Sequence, residues 1–162
     1  MTDGLVFDTS PLIFLARVDL LPMLPGLARR CLVPASVIRE VLAGAAVDPR
    51  AKAIAAWARP FLVADVEILP SIAAWELGMG EAQAIAAACQ SPAAGAVVLD
   101  DQAGRRCALA HGLKVVGTVG LVLRAKQSGL IEAARPVLER LVDSGMFLEA
   151  SLVQGALAQV GE

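Results

Sequence analysis

The chain has 162 residues, of which 57% are hydrophobic, 4% aromatic and 19% charged. So apolar and charge-poor a composition excludes an intrinsically disordered chain, and Gly and Pro lack the period of a fibrous one. The net charge of −2 excludes binding to nucleic acid through bulk positive charge, though not through a local basic patch.

Short apolar runs alternate with helical patterns along the chain. Leu5-Val6-Phe7 reads as a buried strand, followed by a helix from about Pro11 to Leu21. Cys31-Leu32-Val33 is a second strand. Pro34 then opens a helix through Val37, Ile38, Val41 and Leu42, and a further helix runs from Pro49 to Ala58. Val66-Glu67-Ile68-Leu69 reads as the third strand, Ala96–Leu99 as the fourth and Val115-Val116 as the fifth. Helices are expected over about Glu81–Cys89, Ala103–His111 and Val119–Gln127. This alternation predicts an α/β fold: three layers, α-β-α, around a mostly parallel sheet of about five strands. The length suits one domain over 1–162, with a helical C-terminal extension over about 132–162. In that tail Leu138, Leu141 and Val142 form one stripe, and Leu148, Leu152, Ala156 and Val160 the next. The pair is expected to complete the core, with a partner surface as the alternative.

The longest uncharged stretch, Ala82 to Leu99, is interrupted by Gln83, Gln90, Ser91, Pro92 and Gly95. It reads as helix, turn and strand rather than a membrane span of about 20 residues. The start, MTDGLVFD, has an acid and no cation, unlike a signal peptide. A cytoplasmic protein without a membrane partner is expected. Cys31, Cys89 and Cys107 are far apart and His111 is the sole histidine, so a zinc site lacks ligands at workable spacing. The cysteines are expected to be reduced and to pack as small hydrophobes. His111, before Gly112 at a helix end, is expected to satisfy the last carbonyls.

The acids fall in a pattern. Asp8 follows the first strand, and Asp100 and Asp101 follow the fourth. Ligands of open parallel sheets bind beyond the carboxyl ends of the strands, where strand order reverses, and these two strands are typical neighbours there. Glu40 lies about 60° off the edge of its helix's apolar stripe, within reach of that crevice. Glu81 opens the helix after Gly78-Met79-Gly80. Each acid also has a structural reading: Asp8 and Asp101 as helix caps, Glu81 opposing a helix dipole, Glu40 solvated. Taken together, carboxylates converging without histidine or thiolate suggest Mg²⁺ or Mn²⁺, two of which can clamp a phosphodiester. The first strand is not followed by GxGxxG, and the chain has neither a phosphate-binding P-loop nor a GxSxG elbow. A haloacid-dehalogenase-type phosphatase needs a second acid where Ser10 stands.

Asp8-Thr9-Ser10-Pro11-Leu12-Ile13 resembles the first motif of PIN-domain nucleases, and Val37-Ile38-Arg39-Glu40-Val41-Leu42 the second. Gly80-Glu81-Ala82-Gln83-Ala84-Ile85-Ala86 is similar to the third and Leu99-Asp100-Asp101-Gln102-Ala103-Gly104-Arg105-Arg106-Cys107-Ala108 to the fourth. Gly117-Thr118-Val119-Gly120-Leu121 looks like one subgroup of uncharacterised PIN-like proteins. The resemblance spans essentially the whole chain. It implies a metal-dependent endoribonuclease, in many bacteria the toxin of a toxin–antitoxin pair held inactive by a small antitoxin protein. By carry-over, the catalytic acids are Asp8, Glu40, Glu81 and either Asp100 or Asp101. Asp8, Glu40, Asp100 and Asp101 are the expected metal ligands. Glu81 stands where toxin members more often have Asp, and its longer side chain shifts the metal position.

Thr9, Ser10 and Thr118 are candidate contacts for water or phosphate, with local turn bonding as the alternative. Eleven of the fourteen cations are arginine, and Arg17, Arg39, Arg105, Arg106 and Arg124 flank the expected site. Of these, the motif supports Arg105 and Arg106 as phosphate contacts. With so few aromatics, extensive base stacking is not expected. The partners expected are RNA, a small antitoxin protein and, from the apolar surface, a second copy in a homodimer. The alternative function is a non-catalytic PIN-like module that binds nucleic acid or protein.

Overall fold

The computed structural model describes residues 2–162. Five parallel strands form one sheet: β1 (Thr2–Phe7), β2 (Ala28–Pro34), β3 (Leu62–Val63), β4 (Ala96–Val98) and β5 (Val115–Val116). Their order is β3-β2-β1-β4-β5, so strand order reverses between β1 and β4. Nine helices accompany them among the described residues: α1 (Thr9–Arg17), α2 (Ala35–Ala43), α3 (Ala51–Ala58), α4 (Pro70–Ala73), α5 (Met79–Gln90), α6 (Gln102–Ala110), α7 (Thr118–Gln127), α8 (Arg135–Asp143) and α9 (Ala150–Ala158). None is long and apolar enough to cross a membrane.

Side-chain alternation along β1 divides the core in two. Leu5 and Phe7 face a cluster built from α1, α2, α3, α7, α8 and α9. Val6 faces the opposite cluster, with Ile72 of α4, Ala84 and Ile85 of α5, and Cys107 of α6. This is the expected three-layer arrangement. α5 is buried on every side from Ala82 to Ala88, and its alanines let it lie close against the sheet. The tail helices join the larger cluster through Leu138, Leu141, Ala156 and Leu157. They nevertheless leave Val142, Leu152 and, in the link between them, Phe147 exposed.

Three details differ from expectation. The first helix ends at Arg17. Asp19 has φ 60°, and a 3₁₀ turn with an internal proline, Leu21–Gly26, follows. Leu42, read as part of the α2 stripe, is 43% exposed. The third strand is Leu62–Val63 rather than Val66–Leu69. The 66–69 segment pairs with no strand, and a side chain takes the place of one. Gln83, buried on α5, accepts from Val66 N–H at 3.0 Å and donates to its carbonyl at 2.9 Å. Gln90 likewise donates to the Glu67 carbonyl at 2.8 Å. Hydrophobic patterning cannot distinguish a segment satisfied by side-chain amides from one satisfied by a strand.

Candidate active site

The register of β1 and β4 sets two acids side by side. Phe7 pairs with Val98, and Asp8 N–H reaches the Val98 carbonyl at 3.2 Å. Asp8 stands at the N-cap of α1, yet its side chain makes no capping bond. It is 4% exposed, and its Oδ1 is buried with no hydrogen-bond partner. Burial is the largest influence on its titration. The Thr9 backbone N–H works against it, and Glu81, Glu40 and Asp100 add repulsion, leaving the carboxyl at about 7.

Glu40 reaches the same place from α2, as its position at the stripe margin predicts. Its Oε2 accepts from the Thr9 hydroxyl and its Oε1 from Gly80 N–H, both at 2.7 Å. Glu81, in the first turn of α5, has its Oε1 buried and unpartnered. Burial raises its pKa, Asp101 adds to the shift, the Gly78 N–H opposes it, and Glu40 contributes a smaller rise. Asp100 is held at both oxygens, by Thr118 N–H at 2.7 Å and the Thr118 hydroxyl at 2.6 Å. Asp101 does cap a helix. Its Oδ2 accepts from Ala103 and Gly104 N–H at 2.8 and 3.2 Å, while its charge bears on Glu81. The structural reading therefore holds for Asp101 and fails for Asp8.

The hydroxyls and cations sort differently from expectation. Thr9 and Thr118 spend their hydroxyls on Glu40 and Asp100, and Thr118 is fully buried. Ser10 is exposed on the rim. Arg105 lies beside Asp100 and donates to the Leu99 carbonyl at 2.9 Å, and Arg106 is exposed on the same helix. Arg17 is engaged with Asp48 and the Ser144 carbonyl, and Arg39 with Asp65 and Ser36. His111 contacts the Cys107 carbonyl at 2.8 Å, as its place at the helix end predicts. All three cysteines are free.

Sequence reasoning named three glycines within the motifs but missed that they make room for the acids. A Cβ on Gly80 would stand 2.5 Å from Glu40 Oε2, and one on Gly104 2.7 Å from Glu81 Oε1. One on Gly117 would stand 3.1 Å from both Asp100 Oδ1 and Arg105 Nη1. The signal was present, because each glycine lies inside one of the quoted motifs. A groove of about 890 Å³ also went unforeseen. It runs from Ser10, Asp100, Asp101 and Arg105 onto an apolar floor that includes Leu123 and Phe147.

No curated protein and no solved structure matches the chain. The family model DUF3368, described as a PIN domain, matches residues 4–162. The chain belongs to this PIN-domain family.

PIN domains are a nuclease superfamily whose members generally use divalent metals. Among the described residues of this PIN domain, no three acids, histidines or cysteines are drawn close enough to form a ready metal group. The donors nevertheless fit a hard cation. They are all carboxylate oxygens, two of them buried and unpartnered.

Proposed function

We propose that this PIN-domain protein is a metal-dependent endoribonuclease that hydrolyses RNA phosphodiester bonds, and that it is the toxin of a toxin–antitoxin pair. The observation that carries the reading is the buried Asp8 carboxyl, its Oδ1 unpartnered and its charge opposed by Glu81, Glu40 and Asp100. A buried acid without a partner needs either a proton or a cation. Asp8, Glu40, Asp100 and Asp101 would hold Mg²⁺ or Mn²⁺. When bound, the metal supplies charge at the scissile phosphate and acidity to the attacking water.

The chain's own residues do the rest. Thr9 and Gly80 orient Glu40, and Thr118 orients Asp100, so neither carboxylate need reorganise during the reaction. The Glu81 carboxylate takes the hydrogen bond, and then the proton, of the attacking water. Ser10, Arg105 and Arg106 contact phosphate oxygens from the rim. The apolar end of the groove, with Phe147 87% exposed, supports a small antitoxin as protein partner. Other exposed apolar residues, such as Val142, support a homodimer.

The test is cleavage of a synthetic RNA with Mn²⁺ or Mg²⁺. Asp8→Asn and Glu40→Gln should each slow it by about 100-fold or more. Wild-type rates in both variants would remove the assignment. For the toxin role, expression should arrest growth, and co-expression of a cognate antitoxin should relieve the arrest. The looseness of the acid set favours a second reading, a non-catalytic binding module. That module would show no Mn²⁺ binding dependent on Asp8 and Asp101 in a calorimetric titration.

A further inference from the structure

The sheet has an edge that its own strands leave open. β1 pairs with β2 from Ala28 to Leu32, whereas on the other side β3 covers only Val33 and Pro34. The outer edge from Ala28 to Leu32, roughly 16 Å of strand, therefore faces no strand. Alternate residues of a parallel strand turn their N–H and C=O groups to each side, so this edge offers donors and acceptors. A cavity of about 290 Å³ runs along it, lined by Pro25, Arg29, Arg30, Phe61 and Leu62 among others.

The charge at this edge is mainly positive, although the exposed Asp3 of β1 stands in register with Arg29. Arg29 and Arg30 are both exposed. Consecutive strand side chains leave opposite faces, so the edge carries a guanidinium on each face. Arg59, also exposed, precedes the Pro60-Phe61 rim. None of the three forms an ion pair among the described residues. They lie toward the amino ends of the strands, away from the acids of the crevice.

We propose that the β2 edge takes an extended acidic segment of a partner polypeptide as an added strand, with consecutive acids opposite Arg29 and Arg30. Strand addition satisfies both the donors and the acceptors of the edge, and the cross-strand charges set the register. A nucleic acid strand would offer phosphate acceptors to the arginines but has no donors repeating at the spacing of the edge carbonyls. A second copy paired edge to edge would oppose arginine to arginine. The surface is separate from the acid crevice, and its test does not depend on nuclease activity.

The probe is a fluorescein-labelled peptide, Thr-Val-Asp-Glu-Val-Thr, titrated with the full chain by anisotropy. Saturable binding is expected. Arg29→Glu/Arg30→Glu should weaken it at least about 10-fold and Arg29→Gln/Arg30→Gln by less, with circular dichroism confirming that both variants are folded. N-methylation of alternate peptide nitrogens should also weaken binding, and a Lys-Lys analogue should not bind. Three results would overturn the proposal. The first is no saturable binding, which leaves the arginines as guards against self-association. The second is binding indifferent to the arginine variants. The third is a short RNA oligonucleotide that binds more tightly than the peptide and with the same dependence on Arg29 and Arg30.

Discussion

Gly80 donates its backbone N–H to Glu40 Oε1 at 2.7 Å, although 40 positions separate them. The same glycine has no room for a side chain, because a Cβ would stand 2.5 Å from Glu40 Oε2 and 2.8 Å from Thr9 Oγ1. Three motifs thus meet at one carboxylate. Gly80→Ala favours α5 by helix propensity and displaces Glu40 by contact. The expected outcome is a thermal midpoint shifted by only a few degrees, with Mn²⁺ affinity and RNA cleavage reduced by about 10–100-fold. Cleavage at the wild-type rate would argue that Glu40 need not hold its position.

Asp101 combines a cap with a charge, and two substitutions separate them. Asn preserves the cap of α6, whereas Ala removes it at a cost of about 1 kcal/mol. Both delete the charge that bears on Glu81. Urea denaturation should therefore find Asp101→Asn close to wild type and Asp101→Ala less stable. Metal-dependent cleavage should fall similarly in both. Unequal activity losses that track stability would reduce Asp101 to a cap.

Asp8 links stability to pH in the metal-free protein. Its folded pKa, about 7, lies above the ordinary 3.8. A carboxyl shifted upward favours folding fully below its unfolded value, and that contribution is lost as pH rises through about 7. Asp8→Asn should therefore become progressively more stable than wild type between pH 4 and 7, with a constant gain above. Denaturation in EDTA across that range measures it. Cation binding needs the ionised carboxylate, so Mn²⁺ affinity of the wild type should rise over the same interval. A stability difference independent of pH would show that Asp8 is already ionised without metal.

Gln83 replaces a strand for residues 66–69. Gln83→Leu keeps the side-chain volume similar but replaces the amide with an apolar group, leaving Val66 N–H and C=O without their partner. A loss of about 2–3 kcal/mol is expected, with hydrogen exchange at Val66 accelerated and the exchange of β1 and β4 amides preserved apart from the global loss. Unchanged protection at Val66 would mean that another group, or water, satisfies it.

Much of this site is legible in the chain because its acids sit at strand ends. Asp8 and Asp100 each follow an apolar run, and a parallel sheet brings such ends together whenever the two strands are neighbours. Glu40 is legible through helical geometry. The roles of the threonines are not. Thr9 and Thr118 resemble exposed turn residues, and only the fold shows their hydroxyls turned toward Glu40 and Asp100. The distinction between Asp8, which caps nothing, and Asp101, which caps α6, is likewise invisible in sequence, since both precede helices.

The sequence by itself determined the alternation of strand and helix, the parallel sheet and the order of the acids. These follow from local periodicity, and periodicity is a property of neighbours along the chain. Tertiary structure alone decided which extended segment became β3, which carboxylate oxygens were left without partners, and where glycine was needed to leave them room. Those outcomes depend on atoms dozens of positions apart, such as Gln83 with Val66 or Gly80 with Glu40. The competition for a buried hydrogen bond or a few cubic ångströms is settled only when the layers close.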